Sequence, residues 1–252
     1  MSAGEKVVLI TGASRGIGRA ASRLFATAGC RVAVHYRQDA GAADETMASL
    51  VGDGHCTFAC DVSDPQAVAR LVEEVTATMG GLDVLVNNAG FREHHIVEDI
   101  EYDQWQAAWQ KILATNLLGP ANLSFCAAKY MMASGGGRIV NVSSRGAFRG
   151  EPKMPAYGAS KAGLNAMGQS LAQALAPQGV FVFTVAPGFV ETDVSAARLA
   201  GPDGDEIRAQ SPLNRVAQPN DVARTVVFLG TEAPEFLTGC IIDVNGASYL
   251  RS

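Results

Sequence analysis

Residues 6–18 read KVVLITGASRGIG, an apolar run followed by a turn that contains three glycines. The run predicts a strand over 6–10, and the amphipathic pattern after it predicts a helix over 17–28. Glycine is favoured where the backbone must turn tightly and come close to a phosphate, and the following helix start supplies free N–H groups. One glycine would suffice for a plain turn, so Gly12, Gly16 and Gly18 favour a dinucleotide site. Taken alone, this signal is only moderately specific.

The alternation of short apolar runs and helix-length amphipathic stretches continues along the whole chain. The predicted strands are 6–10, 31–36, 56–60, 83–87, 138–143, 180–185 and 240–244. The predicted helices are 17–28, 42–51, 65–79, 104–132, 156–176 and 219–230. Most of the strands are apolar throughout, as in parallel sheets covered on both faces. We therefore predict one α/β domain over 1–252, a Rossmann-type doubly wound parallel sheet of about seven strands with helices on both faces.

Two segments, 91–103 and 189–215, are predicted to be loops. Both follow the carboxyl ends of strands, where such folds bind ligands. Within the second, 191–212 is rich in Ala, Gly and Asp, and we expect it to form a mobile lid over the substrate.

Composition excludes several classes of function. The chain has 252 residues, 18% of them charged, and a formal net charge of −5, which argues against a nucleic-acid groove or an anionic membrane surface. No stretch reaches the roughly 18 apolar residues of a membrane span, and residues 1–10 do not resemble a secretory signal. Five scattered cysteines without a CxxC predict neither a metal site nor disulfides. We expect a cytoplasmic protein with no nucleic-acid or membrane partner and no metal.

A tyrosine and a lysine in the predicted helix 156–176 are four residues apart. In Tyr157-Gly158-Ala159-Ser160-Lys161 the phenol and the ammonium share a helix face. A free phenol has a pKa of about 10, and a nearby cation lowers it. By itself such a pair would be interpreted as part of an amphipathic surface.

Other polar groups follow the predicted strands. They are Asn87-Asn88-Ala89-Gly90 after 83–87, Ser143-Ser144 at the end of 138–143, and Pro187-Gly188 with Thr192 after 180–185; Asn116 lies inside the helix 104–132. Each has an ordinary structural interpretation as a turn, a strand-end hydroxyl or a tolerated helix polar residue.

Taken together and in order, these motifs resemble the short-chain dehydrogenase/reductase family over essentially the whole chain. The motifs are TGxxxGxG (11–18), Asp61 after the third strand, NNAG (87–90), Asn116, Ser144, YxxxK (157–161) and PG with Thr (187–192). Ser144 precedes Tyr157 by the family's usual spacing, so it is preferred to Ser143. The joint occurrence is far more specific than any one motif.

The resemblance implies a role for each of four residues. Tyr157 would be the general acid in reduction and the base in oxidation, and Lys161 would bind the nicotinamide ribose and lower the Tyr157 pKa. Ser144 would bind the substrate oxygen, and Asn116 would hold a water that links Lys161 to solvent.

The resemblance also implies a cofactor site, with Asp61 near the adenine unless it only turns the chain. Its residues would be Gly12, Ser14, Arg15, Gly16, Ile17, Gly18, Arg37, Asp61, Val62, Asn88, Ala89, Gly90, Tyr157, Lys161, Pro187, Gly188, Val190 and Thr192.

The second predicted strand indicates which nicotinamide cofactor binds. NAD enzymes place a carboxylate at the end of this strand, whereas here it ends His35-Tyr36-Arg37. Arg15 and Arg37 would suit a 2′-phosphate, because a guanidinium binds phosphate with two parallel hydrogen bonds. We predict NADP(H) rather than NAD(H). The alternatives are that both arginines are solvated surface residues and that Asp39 reaches the ribose.

Three functions are considered. The first is reduction of a 3-oxoacyl thioester on acyl carrier protein. Relatives acting on that acidic carrier tend to have basic residues where this chain has Gly135 and Gln178, although Arg138 is close. The second is oxidation or reduction of a free small alcohol, sugar or ketone, and the third is a non-catalytic cofactor-binding protein.

The segment between Gly90 and Asn116 is a few residues longer than is usual in the family and carries Trp105 in the extension, whereas Trp109 matches a common family position. This predicts a reshaped substrate wall or a longer surface turn. The candidate pocket residues are Phe91, His94, His95, Phe148, Met154, Phe189 and Val190. By resemblance we expect a homotetramer assembled through helices 104–132 and 156–176 and the last strand.

Overall fold

Seven parallel strands form one sheet in the computed structural model, which describes residues 6–251. The strands are β1 (Val7–Ile10), β2 (Arg31–Tyr36), β3 (Cys56–Ala59), β4 (Val84–Asn87), β5 (Gly137–Val142), β6 (Val180–Pro187) and β7 (Ile241–Val244). Their order across the sheet is β3-β2-β1-β4-β5-β6-β7. The predicted Rossmann-type fold class, with about seven strands, is confirmed.

Helices cover both faces of the sheet, as predicted. They are α1 (Gly16–Thr27), α2 (Ala40–Ala48), α3 (Pro65–Met79), α4 (Tyr102–Leu113), α5 (Gly119–Ala133), α6 (Gly146–Arg149), α7 (Pro155–Leu175), α8 (Asp193–Ala200), α9 (Gly204–Ala209) and α10 (Pro219–Thr231). One hydrophobic core joins the sheet to α1, α2 and α10. A second joins the opposite face to α3, α5 and α7. Asp64 caps α3 ahead of Pro65, accepting hydrogen bonds from the backbone N–H groups of Gln66 and Ala67.

The chain changes direction across the sheet between β1 and β4. β1 pairs with β2 on one side and with β4 on the other. In open α/β sheets the carboxyl ends of the strands at such a point leave a crevice that binds ligands. The Gly-rich turn after β1 and the NNAG sequence after β4 therefore meet at this edge.

The prediction of one helix over 104–132 was wrong in one respect. α4 and α5 are separated by a π-helical segment, Ala114–Leu118, in which Asn116 lies. Pro120 has no N–H to continue the regular helical pattern. A side chain at Gly119 would lie 2.7 Å from the Val62 carbonyl, so the helix passes very close to the turn after β3. Such π segments often occur at functional sites.

The prediction of a loop over 189–215 was also wrong, because this segment contains α8 and α9. α8 begins with a capping box in which Thr192 and Ser195 satisfy each other's backbone N–H groups. Leu199, Ile207 and Val216 are buried together, with Phe189 packed against them. A separate small core therefore holds this segment.

Among residues 6–251, no helix is long and apolar enough to cross a membrane. Within the same range, no three His, Cys, Asp or Glu side chains are grouped as metal ligands would be.

Candidate active site

The ends of β1 and β4 are joined by a network around Thr11. The Thr11 hydroxyl accepts hydrogen bonds from the backbone N–H groups of Asn88 and Ala89, each at 3.0 Å. In return, the Asn88 side-chain amide donates to the carbonyls of Thr11 (2.8 Å) and Gly12 (3.1 Å). Thr11 belongs to the Gly-rich motif but was not among the predicted site residues. These contacts place Asn88, Ala89 and the Gly-rich turn together.

The glycines of this turn are required by its geometry. Gly12 and Gly16 have φ values of +64° and +53°, in the left-handed region that favours glycine. A Cβ at Gly18 would lie 2.7 Å from Asn88 Nδ2 and would collide with the Gly12 carbonyl. A side chain would fill the concave surface at the start of α1, where backbone N–H groups suit a pyrophosphate. The residues present therefore fit a dinucleotide.

The buried His35 side chain bonds to the Gly-rich turn, a contact that was not among the predictions. The Gly12 N–H donates to His35 Nδ1 at 3.1 Å, so the other nitrogen, Nε2, carries the proton and donates to the Cys60 carbonyl at 3.0 Å. Burial lowers the pKa of His35 to about 4, so the ring is neutral at pH 7. A polar histidine inside the apolar strand 31–36 was the available signal.

The two arginines predicted to select NADP(H) are both exposed at this edge. Arg15 immediately precedes α1, and Arg37 follows β2, the strand next to β1. Among the described residues neither forms an ion pair with a carboxylate within 4.0 Å. Asp39 accepts a hydrogen bond from the Ala42 N–H at 3.0 Å and caps α2.

Asp61 and Val62 form the turn after β3. Asp61 Oδ1 accepts from both the N–H (2.9 Å) and the hydroxyl (2.7 Å) of Ser63. Burial raises the pKa of Asp61, but the hydrogen bonds from Ser63 and the charge of Arg37 outweigh this effect and hold it below its usual value. Val62 is buried. Asp61 therefore shapes the turn after β3, which was the alternative to a contact with the adenine. Arg37 is close enough for its charge to lower the Asp61 pKa.

Tyr157, Lys161 and Ser144 lie together beside the end of β5. The Ser144 hydroxyl is close enough to Tyr157 to lower the pKa of its phenol. Lys161 Nζ is 6.0 Å from the centre of the Tyr157 ring, as expected for two residues on one helix face. Ser143 instead donates to the Lys161 carbonyl at 3.3 Å and is buried. The geometry therefore favours Ser144 over Ser143 as the hydroxyl next to the phenol.

The expected lowering of the Tyr157 pKa by Lys161 is not what this structure gives. Burial raises the pKa of Tyr157, and the nearby Ser144 hydroxyl and the charge of Arg92 offset only part of that effect. The Lys161 ammonium donates to the Val142 carbonyl at 2.8 Å, and burial lowers its pKa to about 8. The phenol is therefore protonated at neutral pH. Because the pKa of Lys161 is about 8, its ammonium can both give up and take back a proton near neutral pH.

Asn116 is completely buried between two segments of the site. Its amide accepts from the Phe91 N–H at 2.7 Å, and donates to the Phe91 carbonyl at 2.8 Å and to the Ser160 hydroxyl at 3.1 Å. A Cβ at Gly90 would lie 3.6 Å from Asn116 Oδ1 and 3.7 Å from Lys161 Nζ. The Asn116 side chain therefore holds the backbone of Gly90 and Phe91 close to Lys161.

The segment after β6 closes the site from the other side. The Gly188 N–H bonds to the Val244 carbonyl, and Val190 pairs with Ala217. A Cβ at Gly16 would lie 3.2 Å from Thr192 Cγ2, so Thr192 faces the Gly-rich turn. The remaining predicted cofactor residues, Ser14 and Ile17, belong to the same turn and the start of α1.

The structure does not bring all of the predicted pocket residues to one place. The Phe91 ring lies under the Lys111 ammonium, and Phe148 contacts Arg251 near the chain end. Phe189 packs against the small core of α8 and α9, and Met154 is buried at the start of α7. His94 is exposed, whereas His95 is buried.

Arg145 is a residue that the sequence analysis missed. It follows Ser144 and is buried, and its guanidinium donates to Gln210 Oε1 and to the Ser248 hydroxyl, each at 2.5 Å. It also lines a cavity formed with Phe189, Ile207 and Val244. The loop of Ser144 is thereby tied to the end of α9 and to the C-terminal segment.

Comparison with known proteins supports the assignment suggested by this geometry. The model of a family described as enoyl-(acyl carrier protein) reductase matches residues 12–247. The chain is 35% identical over 245 residues to the 3-oxoacyl-[acyl-carrier-protein] reductase FabG of Vibrio cholerae, covering 97% of this chain and 98% of that protein. The chain belongs to the short-chain dehydrogenase/reductase family.

Two further relatives carry the same description. The FabG of Staphylococcus aureus is 36% identical over 247 residues, covering 97% of this chain and 98% of its own length. The 3-oxoacyl-[acyl-carrier-protein] reductase of Synechocystis sp. is 35% identical over 248 residues, covering 97% of each chain. As a member of the family, the chain is an oxidoreductase that acts on a carbonyl/alcohol pair with a nicotinamide cofactor.

Proposed function

We propose that this chain, as one catalytic domain over 1–252, uses NADPH to reduce the 3-oxo group of an acyl thioester to a secondary alcohol. The observation that carries the proposal is the placement of Lys161 Nζ 6.0 Å from the centre of the Tyr157 ring, with the Ser144 hydroxyl close enough to lower the pKa of the phenol. The curated relatives in three organisms are described as reductases of such substrates.

Each side chain has a role that follows from its environment. Ser144 and Tyr157 donate hydrogen bonds to the substrate carbonyl oxygen and stabilise the negative charge that develops there. Tyr157 then gives its proton to that oxygen, a role that its raised pKa suits at neutral pH. Lys161, with a pKa of about 8, returns a proton to the phenolate. Asn116 holds the Phe91 backbone and Ser160 around this group and keeps it in position.

The predicted cofactor residues would hold the dinucleotide along the edge formed by β1, β4 and the segment after β6. Gly12, Gly16 and Gly18 leave room for the pyrophosphate, Thr192 lies beside this turn, and Lys161 lies toward the reacting end. When bound, the nicotinamide supplies the hydride for reduction or accepts it in the reverse direction.

NADP(H) is proposed over NAD(H) because of charge at the ends of β1 and β2. Arg15 and Arg37 are exposed there, whereas the Asp39 carboxylate accepts the hydrogen bond from the Ala42 N–H that caps α2. A dianionic 2′-phosphate gains from two guanidinium groups, and a ribose hydroxyl does not.

Replacing both arginines tests this preference. Arg15→Ala with Arg37→Ala should raise the KM for NADPH at least about tenfold, the order expected when two charge-assisted contacts are lost. The KM for NADH should remain unchanged. Arg70→Ala, an exposed arginine of α3, is the control. An unchanged KM for NADPH in the double variant would refute the assignment.

The absence of basic residues at Gly135 and Gln178 does not exclude a substrate carried by the acidic acyl carrier protein. Both precede β5 or β6, whereas Ser144 follows β5, so the six residues of that strand separate them from the site by roughly 20 Å. Their lack of charge therefore does not alter the pocket of the same chain. A free small alcohol, sugar or ketone is the second candidate; α8 and α9, which follow β6 and have their own small core, would then shape the substrate pocket.

The reaction is tested by following NADPH oxidation at 340 nm with acetoacetyl-CoA and a panel of free ketones and sugars. Tyr157→Phe should lower kcat at least about 100-fold, because the proton donor is lost. Tyr102→Phe, an exposed tyrosine of α4, should leave kcat unchanged. Full activity of Tyr157→Phe would overturn the proposed mechanism, and turnover of free ketones alone would favour the second candidate.

We also propose that the protein is cytoplasmic and forms a homotetramer through α4, α5, α7 and β7. Exposed apolar side chains on α5 and the adjoining π segment, Phe125 and Leu118, support an interface there. Light scattering that gives the mass of a single chain, 26.3 kDa, would contradict the tetramer.

A further inference from the structure

His95 is the buried member of a histidine pair to which the proposed reaction assigns no role. It lies in the segment between β4 and α4 and is 1% exposed, while the adjacent His94 is exposed. The segment is held at residue 93 by an ion pair between Glu93 and Lys111 at 3.3 Å.

Both ring nitrogens of His95 are engaged. The backbone N–H of Ala156 donates to Nε2 at 3.0 Å, and Nδ1 is 2.9 Å from the Glu93 carbonyl. An amide N–H can only donate, so Nε2 must be the unprotonated nitrogen and Nδ1 must carry the hydrogen. The His95 backbone N–H also donates to the Lys153 carbonyl at 3.1 Å. His95 therefore bonds to the entry of α7 at two points.

The start of α7 lacks a side-chain cap of its own. The N-cap residue is Met154, which makes no capping hydrogen bond, and Pro155 has no N–H. The N–H groups of Tyr157 and Gly158 both bond to the Met154 carbonyl. The Ala156 N–H is thus the donor that an N-cap oxygen would normally satisfy, and His95 satisfies it from a distant part of the chain.

Trp105 holds the imidazole in place. Its ring meets the His95 ring edge-on at 5.5 Å and lies 5.7 Å from the ring of Trp109 on the same helix, α4. The ring contact connects α4 to the start of α7 through His95. It accounts for Trp105, which lies in the apparent extension of the sequence.

We propose that His95 is a positioning residue, which caps α7 through the Ala156 N–H and so fixes Tyr157, the next residue along the helix. The inference rests on the proposed role of Tyr157. A neutral acceptor at this helix start is favourable because the free N–H groups there carry partial positive charge. Loss of the acceptor frees the first turn of α7, and the phenol loses its alignment with Ser144 and the substrate oxygen.

Two substitutions separate the hydrogen bond from simple packing. His95→Phe keeps a ring against Trp105 but has no acceptor, whereas His95→Gln keeps an acceptor oxygen near the position of Nε2. We expect His95→Phe to lower kcat about tenfold, the scale of a modest misplacement of a reacting group. The KM for NADPH should stay within about twofold, because the Gly-rich turn is not touched, and His95→Gln should recover most of kcat.

His94→Phe is the matched control and should keep wild-type kcat, with thermal unfolding followed for each variant. A folded His95→Phe variant with kcat within about twofold of wild type would overturn the proposal. Equal losses in His95→Phe and His95→Gln would overturn it as well, because the acceptor would then be irrelevant.

A measurement on the unmutated protein covers the case in which His95→Phe does not fold. The chain has four histidines, so ¹⁵N spectra of labelled protein are simple to assign. The proposal requires His95 to carry its hydrogen on Nδ1, and a hydrogen on Nε2 would refute it. If Tyr157→Phe retains full activity, the proposed function fails; if Tyr157→Phe is inactive and His95→Phe is not impaired, only the role of His95 fails.

Discussion

The cofactor edge and the substrate side of this protein are built in different ways. At the cofactor edge, β1 and β4 are adjacent strands, and Thr11, Gly12 and Asn88 bond to one another through backbone groups and short side chains. On the substrate side, single long side chains bond to other segments, as His95 does with the Ala156 N–H and Arg145 with the Ser248 hydroxyl. The first construction depends on glycine at fixed positions, and the second on individual long side chains.

The difference predicts how each region responds to substitution. A side chain added at the cofactor edge would collide with neighbouring backbone atoms, so the substitution should affect folding and cofactor binding together. A change on the substrate side removes one bond between segments, so it should affect turnover or substrate binding while cofactor binding is preserved.

The largest effect is expected at Gly18. In Gly18→Ala the new Cβ would collide with the Gly12 carbonyl and lie 2.7 Å from Asn88 Nδ2. We expect a loss of about 3 kcal/mol in the free energy of unfolding, the upper range for overpacking, and no measurable binding of NADPH. Urea unfolding and NADPH fluorescence measure the two quantities.

Gly80→Ala is the control for this prediction. Gly80 has a φ of +72° and open space around its Cβ position, so alanine there should cost roughly 1 kcal/mol and leave NADPH binding intact. If Gly18→Ala binds NADPH as wild type does, the tight packing of the turn is not needed for the cofactor.

The next effect is a pH dependence of stability that comes from His35. Its pKa in the folded protein is about 4, against 6.5 in the unfolded chain, so between these values the unfolded state binds the extra proton. Stability is full above pH 6.5 and should fall as the pH falls toward 4, by at most about 3 kcal/mol from this group. His35→Asn keeps an acceptor for the Gly12 N–H but does not titrate. Urea unfolding from pH 7.5 to 4 should show a shallower decline in the variant, and parallel curves would contradict this.

The smallest effect is expected at Arg145. Arg145→Met keeps an apolar stem in the buried site but loses both bonds, to Gln210 and Ser248. The KM for the carbonyl substrate should rise about fivefold, as for a loss near 1 kcal/mol, while the dissociation constant of NADPH stays the same. Arg149→Met, at the exposed end of α6, should change neither. A weaker NADPH affinity in Arg145→Met would contradict the separation of the two regions.

The sequence was sufficient to predict the elements that depend on local signals. All seven predicted strands are present, and α3 begins at Pro65, the first residue of the predicted helix 65–79. The spacing of Tyr157 and Lys161 placed both residues on one helix face. Glycine positions, helix periodicity and caps each act over a few residues, which is why they can be recognised without a structure.

Features that depend on distant contacts could not be predicted. The break between α4 and α5 depends on the close approach of Gly119 to Val62, and the small core of α8 and α9 depends on Phe189 and Val216. The capping box of Thr192 and Ser195 was a local signal that could have revealed α8. The bond from Ala156 to His95 spans 61 positions, and no local pattern indicates it.

The measurement that tests the central claim most directly is the position of deuterium in the product. The enzyme is given acetoacetyl and crotonyl thioesters together with NADPH that carries deuterium at C4 of its nicotinamide, and the products are analysed by mass spectrometry. Carbonyl reduction, the result expected here, gives a 3-hydroxybutyryl thioester with deuterium on the carbinol carbon. Deuterium only in a butyryl thioester would show reduction of the carbon–carbon double bond and would contradict the proposed function of Ser144 and Tyr157.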